Sequence, residues 1–463
     1  MNTFIMIAFF CYFLTLAAIS ITVSYLQTSN KQFISGGKSI NYWVTAIATQ
    51  ASDMGIWLFL GFPAAIYTNG LFEYWSAIGL IFFMFLTWQF IAYPLRIDSS
   101  KYNAVTLLDY FNKKYNDTQG HISTIGGMII LLFFTFYIAS GLIGLGKLFN
   151  AAFGISYHIG ICIGLSTVLL YALIGGFVAI AWCDFFQGLF LLAVIVITPL
   201  YVWYNSTGID SIIIAAKIRN TSLSLFPENK NVFHALFLAA SWGLGYFGQP
   251  HILVNFMAID NPKNTKHALK VGMAWQIIVL SASAALGLVA LGFYPANYNG
   301  SGELLFIDMI THFFGPFITG LALCAVLAAT LSTMDSHILV SGTTCAYDLH
   351  SKAAHKKSNS YIILISRIGS LMVSLCALGI AWHNTAGVYT LVNYAWSGLG
   401  SAFGPLVIAS LYQEKMVNKY SARASIIVGT LVSATLPLFS DIILPLVPGF
   451  FAASLTLYLL KNK

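Results

Sequence analysis

Charge is scarce in this chain: of 463 residues only 8% are Asp, Glu, Lys or Arg, where a soluble domain carries about 25%. Too few charges are available to dress a water-facing globule, which excludes a soluble enzyme and a disordered protein. Cysteine is sparse as well. Its six copies, at 11, 162, 183, 324, 345 and 376, stand singly within or at the ends of apolar runs, with neither zinc spacing nor a disulfide framework. No glycine-rich loop followed by Lys-Ser or Lys-Thr is present to cradle a nucleotide. No repeat of 20 to 50 residues, low-complexity tract or linker divides the sequence.

What the chain has in excess is apolar surface: 58% of its residues are hydrophobic and its mean hydropathy is +0.80. A bilayer-spanning helix uses about 20 mostly apolar residues, so there is material for roughly a dozen spans, and a receptor with one anchor is excluded too. Apolar stretches occupy approximately 3–26, 42–67, 71–95, 122–150, 156–178, 182–204, 233–258, 268–294, 316–346, 359–382, 386–413, 420–438 and 442–460. They predict an all-α polytopic membrane protein, a single domain of about 13 transmembrane helices. The first stretch, Thr3 to Leu26, lacks a basic flank before it and reads as an anchor helix, not a cleaved signal peptide.

The formal charge of +7 comes from 22 Lys and Arg against 15 Asp and Glu. Positive residues collect on the cytoplasmic loops of multi-pass proteins, so their distribution tests the order of spans. With the N-terminus outside, the inner loops hold 18 of the 22, among them Lys31, Lys38, Lys352, Lys356, Lys357 and Lys463. Lys147, Lys217, Arg219 and Lys230 are left over, the last three in one long outer connection where the charge rule is weakest. An odd number of spans then puts the C-terminus in the cytoplasm. Topology thus accounts for the basic balance, with no nucleic-acid partner.

Two predicted spans carry interruptions at their midpoints. Gln50-Ala51-Ser52-Asp53-Met54-Gly55 puts a carboxylate near the bilayer centre, where an Asp costs about 2.5–3.5 kcal/mol on insertion scales. Trp242-Gly243-Leu244-Gly245-Tyr246-Phe247-Gly248-Gln249-Pro250 contains three glycines and a proline that weaken a helix from within. A glycine-rich packing seam would explain either segment alone. The two lie five spans apart, and transporters built from two inverted five-helix repeats carry discontinuous helices at corresponding positions. There, unwound backbone offers carbonyls to a cation and N–H groups to a carboxylate. The five-plus-five core would cover approximately 42–204 and 233–413, with flanking helices at 3–26, 420–438 and 442–460.

The ninth span contains Thr330-Leu331-Ser332-Thr333-Met334-Asp335-Ser336-His337. Ser332 and Ser336 share a helix face, and with Thr333 their hydroxyls could complete an oxygen cage for a hard monovalent cation, or simply bond their own backbone. Asp335 and His337 are functional candidates as intramembrane ionisable groups, with a mutual or water-bridged pair as the alternative. Tyr137 sits among Phe133, Phe134 and Phe136, where it either packs or offers a polar tip to a ligand. Asp184 follows Gly175-Gly176 and is either a solvated helix start or part of an ion path.

With these residues in view, the chain resembles the sodium:solute symporter family, and within it the members that carry proline. The resemblance rests on Ile34-Ser35-Gly36-Gly37-Lys38, Ala51-Ser52-Asp53-Met54, Phe133 to Gly141, Trp242 to His251, Leu331-Ser332-Thr333 and Ser397 to Pro405. It implies sodium-coupled uptake of L-proline across a bacterial-type inner membrane, with no enzymatic activity and no cofactor beyond the coupling ion. Carried over residue by residue, it implies a sodium site at Ala51, Asp53, Met54, Ala329, Ser332 and Thr333, and a proline pocket lined by Tyr137, Trp242, Tyr246 and Pro250. Asp184 would serve ion release, and Lys38 would act with it in gating. The implied partners are the solute, sodium and membrane lipid, with no obligate protein partner.

Three departures stand out. Gly55-Ile56 follows the Asp-Met pair where Ser-Gly is usual, Lys38 replaces an Arg and so loses a planar fork, and His337 replaces a Gln. Within transport, another small amino or organic acid, or protons as driving ion, are the alternatives. Outside it, an aspartyl protease using Asp53, Asp335 or Asp348 would need two carboxylates sharing a proton, and a channel would need a continuous pore.

Overall fold

Each of these apolar stretches is mainly helical over its described residues in the computed structural model, which describes 2–26, 36–206, 208–294, 302–350, 359–383, 387–439 and 444–461. Ile34, Ser35 and the loop residues Lys31, Lys352, Lys356, Lys357 and Lys463 lie outside the described residues. The chain opens with α1 (Thr3–Leu26), α2 (Tyr42–Met54) and α3 (Gly61–Asn69). Helix α4 (Tyr74–Leu86) runs through a π-helical turn at Thr87–Ala92 into α5 (Tyr93–Lys101). Helices α6 (Leu107–Lys114), α7 (His121–Phe153) and α8 (Tyr157–Ser206) follow. Two predicted spans, 156–178 and 182–204, are the limbs of α8, which bends at Gly176, where φ is 63° and ψ −172°.

The second half comprises α9 (Ile209–Ile218), α10 (Val232–Gly243), α11 (Pro250–Ala258), α12 (Thr265–Phe293), α13 (Leu305–Phe313) and α14 (Pro316–Thr343). It closes with α15 (Asn359–His383), α16 (Val388–Tyr412), α17 (Lys419–Thr435) and α18 (Leu446–Leu459). No strand occurs among the described residues; one isolated parallel bridge joins Ile40 to Ile259.

Eight helices among the described residues are long and apolar enough to cross a membrane. Shorter apolar helices occupy Ile56–Asn69, Tyr157–Leu173, Val232–Gly248 and Leu446–Leu459. Three of these four are short for a local reason: Ile56–Asn69 and Val232–Gly248 are halves of the interrupted spans, and Tyr157–Leu173 ends at the Gly176 bend.

Helix α14 is the hub. Its apolar stretch is 83% buried, against 22% for α1, and it packs on α1, α2, α7, α8 and α15. Helix α12 packs on α2, α3 and α8, while α16 packs on α7, α17, α18 and the turn at 244–248. Large apolar side chains such as Phe10, Leu170 and Met372 point outward, an arrangement suited to a hydrocarbon surround because every helix satisfies its own backbone. Many polar residues are buried inside instead, among them Gln50, Ser52, Asp53, Ser241 and Gln249 where α2 and α10 stop.

Candidate functional site

Both interrupted spans are broken where the glycines and the proline predict. Helix α2 stops at Met54 because Gly55 adopts φ 46° and ψ −173°, a conformation that costs a residue with a Cβ about 1–2 kcal/mol. A 3-10 turn at Ile56–Leu58 follows, and the helix resumes at Gly61. In the second span α10 ends at Gly243. A 3-10 stretch, Leu244–Gly248, and the extended Gln249 lead to Pro250 at the start of α11, where a missing N–H and a fixed φ are suited to a helix N-terminus.

The first break faces α14. Ser332 Oγ donates to the Ala51 carbonyl at 3.0 Å, with the Ala329 carbonyl 3.2 Å away as a second acceptor. Thr333 Oγ1 donates to the Ala329 carbonyl at 3.1 Å and accepts the N–H of Gly55 at 2.9 Å. Ala51, Ala329, Ser332 and Thr333 thus converge on one buried cluster of oxygens, with Met54 buried in the same segment. The hydroxyls bond across helices and not only to their own backbone. Hard oxygen donors of this kind fit a monovalent cation, which would replace the hydroxyl–carbonyl contacts with ion–oxygen contacts.

Asp53 links the two breaks. Tyr246 OH donates to Asp53 Oδ2 at 2.5 Å, Gln276 Nε2 on α12 donates to the Tyr246 hydroxyl at 3.0 Å, and Gln50 Nε2 donates to Gln276 Oε1 at 3.3 Å. The buried carboxyl therefore sits at the end of a polar chain drawn from three segments, which offsets its removal from water. Gln276 went unread in the sequence, although a glutamine inside the 268–294 apolar stretch was the available signal.

Aromatic side chains close one side of this centre. Trp242 stacks on Trp57, with ring centroids 5.8 Å apart at 29°, and meets Tyr389 at 5.1 Å. Trp396 on α16 straps the unwound segment at both ends: its Nε1 donates to the Trp242 carbonyl at 2.7 Å, and its own carbonyl accepts Gln249 Nε2 at 3.0 Å. Its ring meets Tyr246 edge-on at 5.1 Å. Tyr137 enters from α7 and reaches the ring of His337 at 4.3 Å and that of His251, next to Pro250, at 6.5 Å. Tyr137, Trp242, Tyr246 and Pro250 are all buried around the second break. Trp57, Tyr389, Trp396 and His251 were not singled out from the sequence.

On the other side of the centre, Asp184 of α8 accepts the hydroxyl of Ser336 at 3.3 Å. Ser336 is four residues beyond Ser332 on α14, about 6 Å along the axis, so Asp184 lies a helical turn away from the oxygen cluster. Asp184, His251, Asn255 and Ser336 line a narrow pocket of about 10 Å³ together with apolar residues that include Phe177 and Leu339. Lys38 Nζ donates to Ser100 at 3.0 Å, in a group where Arg96 holds the carbonyls of Ile259 at 2.6 Å and Asp260 at 3.1 Å as well as Ser100. The Lys38 turn also meets the α8 bend: a Cβ on Gly36 would stand 2.9 Å from the Phe177 ring.

Asp335 and His337 are not a pair. Asp335 accepts Tyr171 OH at 2.8 Å, while His337 packs on Phe134, Tyr137 and His251. The three carboxyls considered for a protease engage separate hydroxyls, Asp53 that of Tyr246, Asp335 that of Tyr171 and Asp348 that of Thr106 at 2.6 Å. The Ile56 departure is accommodated as well: its side chain fills the space opposite Gly144 of α7, where a Cβ would stand 2.3 Å from Ile56 Cδ1.

The sequence profile of the Sodium:solute symporter family matches residues 33–429. The chain is 35% identical over 444 residues to the high-affinity proline transporter PutP of Bacillus subtilis (strain 168), covering 94% of this chain and 93% of that protein. It is 35% identical over 445 residues to the sodium/proline symporter of Escherichia coli (strain K12), covering 94% and 88%. Its fold is similar to that of a Na+-coupled sialic acid symporter in a substrate-bound outward-open state, with a TM-score of 0.82 at 17% identity over 99% and 98% of the two chains. A lesser likeness, TM-score 0.57 at 15% identity over 93% and 94%, links it to MHP1, a nucleobase-cation-symport-1 family transporter. A match over nearly the whole length, on an all-helical fold with broken spans, makes this chain a member of the sodium:solute symporter family, a transporter and not an enzyme.

Proposed function

We propose that the protein couples downhill entry of sodium to uphill uptake of L-proline across a bacterial-type inner membrane. The observation that carries this reading is the buried oxygen cluster joining Ala51 at the first helix break to Ala329, Ser332 and Thr333 on α14. The relatives named for proline transport supply the solute. Ala51, Met54, Ala329, Ser332 and Thr333 hold the ion, and Asp53 tunes its affinity from the neighbouring turn. Tyr137, Trp242, Tyr246 and Pro250 line the solute pocket, where N–H groups of the unwound backbone meet the carboxylate. Asp184 takes the ion on its way out, and Lys38 secures the loop beside the α8 bend. Thirteen spans, with repeats over 42–204 and 233–413, run from an outer N-terminus to a cytoplasmic C-terminus, and the exposed apolar faces meet lipid.

Coupling follows from the shared geometry. Sodium fixes the break after Met54, and through Asp53 and Tyr246 it also fixes the second break, so each ligand raises the affinity of the other by the same factor. The entering charge contributes about 2.3 kcal/mol per 100 mV of membrane potential. The stack of Trp57, Trp242 and Tyr389 closes the outer face, while the cavity at Asp184, His251 and Ser336 lies on the inner side. Uptake of labelled proline into proteoliposomes, with and without a sodium gradient, tests the reading. Accumulation that collapses without sodium is expected; uptake that persists unchanged would overturn it.

A further inference from the structure

Two imidazoles at the foot of the solute pocket have no task in the reading above. His251, directly after Pro250, and His337, one turn beyond Thr333 on α14, face each other with ring centroids 4.4 Å apart and planes at 85°. They are 1% and 0% exposed, and none of their four ring nitrogens has a hydrogen-bond partner. His337 lies against Phe134 and Tyr137, at 4.4 and 4.3 Å, and His251 lines the same narrow pocket as Asp184. Buried polar atoms are almost always paired, since an unpaired one keeps its desolvation penalty with nothing to offset it. Two unpaired rings at adjoining positions of two helices therefore point to a polar group that is present during part of the transport cycle.

The chemistry of that group can be narrowed. An imidazole in its neutral form has one N–H donor and one bare nitrogen acceptor, so two rings together present both kinds of site. A carboxylate only accepts and an ammonium only donates, so neither uses both kinds of site, and the reading above already gives the carboxylate the N–H groups of the unwound backbone. A hydroxyl gives one hydrogen bond and takes another, so it engages one site of each kind. We propose that His251 and His337 form a hydrogen-bonding subsite for a ring hydroxyl, and that the solutes carried include a small cyclic amino acid bearing one. This rests on the solute pocket proposed above and adds the substituent that the pocket floor reads.

The test uses the full-length protein in proteoliposomes, with labelled 4-hydroxy-L-proline and labelled proline as separate solutes. Native protein takes up both in a sodium-dependent manner, with KM values within about fivefold of each other, because a site built for a hydroxyl does not exclude it. His337→Leu lowers the kcat/KM ratio of hydroxyproline to proline about tenfold, the worth of a lost hydrogen bond, while His337→Gln, which retains a donor and an acceptor, keeps most of it. Uptake of proline with exclusion of hydroxyproline by the native protein overturns the inference and leaves the proline reading intact, whether or not the variants reach the membrane. An unchanged ratio in His337→Leu also overturns it. Uptake of hydroxyproline without proline upholds the subsite and removes proline as the solute, and uptake of neither defeats both.

Discussion

The hydroxyl of Tyr246 donates a 2.5 Å hydrogen bond to Asp53, joining two helix breaks that are 193 residues apart in the chain. Neither break can rearrange without disturbing the other's polar partner. The same bond gives the proposed coupling a physical route, because the order that an ion imposes after Met54 is transmitted to the segment that forms the solute pocket.

Asp53→Asn keeps the size of the side chain and its acceptor for Tyr246 but removes the charge. The half-saturating sodium concentration should rise tenfold or more, about 1.4 kcal/mol per decade, with maximal uptake largely restored at high sodium. Tyr246→Phe should shift the response in the same direction. The double variant should lose less than the sum, since both act through one bond. Sodium titrations of proline uptake read all three, and strictly additive losses would separate the two residues.

Ser332→Ala and Thr333→Ala each remove a hydroxyl that reaches across to the first break. An unpaired buried partner costs about 1–3 kcal/mol, so sodium half-saturation should rise about 5- to 150-fold. Thr333→Ser retains the oxygen that accepts from Gly55 and should stay close to native. Equal behaviour of Thr333→Ala and Thr333→Ser in a sodium titration would show that the hydroxyl is irrelevant.

Ile56 and Gly144 form a size-matched pair. Gly144→Ala would place its Cβ 2.3 Å from Ile56 Cδ1 and should depress both thermal stability in detergent and proline uptake. Ile56→Ala on top of Gly144→Ala should recover much of both. Gly55→Ala should fail for a different reason: its Cβ would clear Thr333 at 3.4 Å, but φ of 46° strains any residue with a side chain, so no change at Thr333 should rescue it.

Acid should weaken the connection before α7. Burial pushes the Asp117 carboxyl up, but the N–H of Ile122 at 2.7 Å and Arg423 Nη2 at 2.6 Å hold it below its usual range. A depressed carboxyl contributes stability that is present above its unfolded value of about 3.9 and is lost as pH falls through the lower folded value. Melting temperature in detergent should therefore drop below about pH 4 in native protein, and Asp117→Asn should flatten that part of the profile. A parallel decline in both would assign the acid sensitivity elsewhere.

Local chemistry was legible in the chain itself. Gly55 and Pro250 end and restart helices by backbone geometry alone, and the long apolar runs with few charges are mainly helical over their described residues. Exceptions needed the third dimension: Lys147, which fits no basic loop, is held by Glu303 at 2.5 Å from a segment 156 residues away. Asp335 was open to pairing with His337 two positions along, yet residues two apart on a helix point about 160° away from each other, and these two face different neighbours.

Sequence alone determined that this chain is far too apolar for a soluble domain, that two of its predicted spans carry helix-breaking residues at their midpoints, and that α14 carries hydroxyls able to serve as oxygen donors. Period, composition and backbone stereochemistry are properties of neighbours along the chain. The tertiary structure decided which polar groups meet: Asp53 with Tyr246, Tyr246 with Gln276, Asp335 with Tyr171, and His251 with His337. Those pairings depend on the rotation and depth of each helix against its neighbours, which are set by packing among side chains far apart in the chain and leave no periodic trace in it.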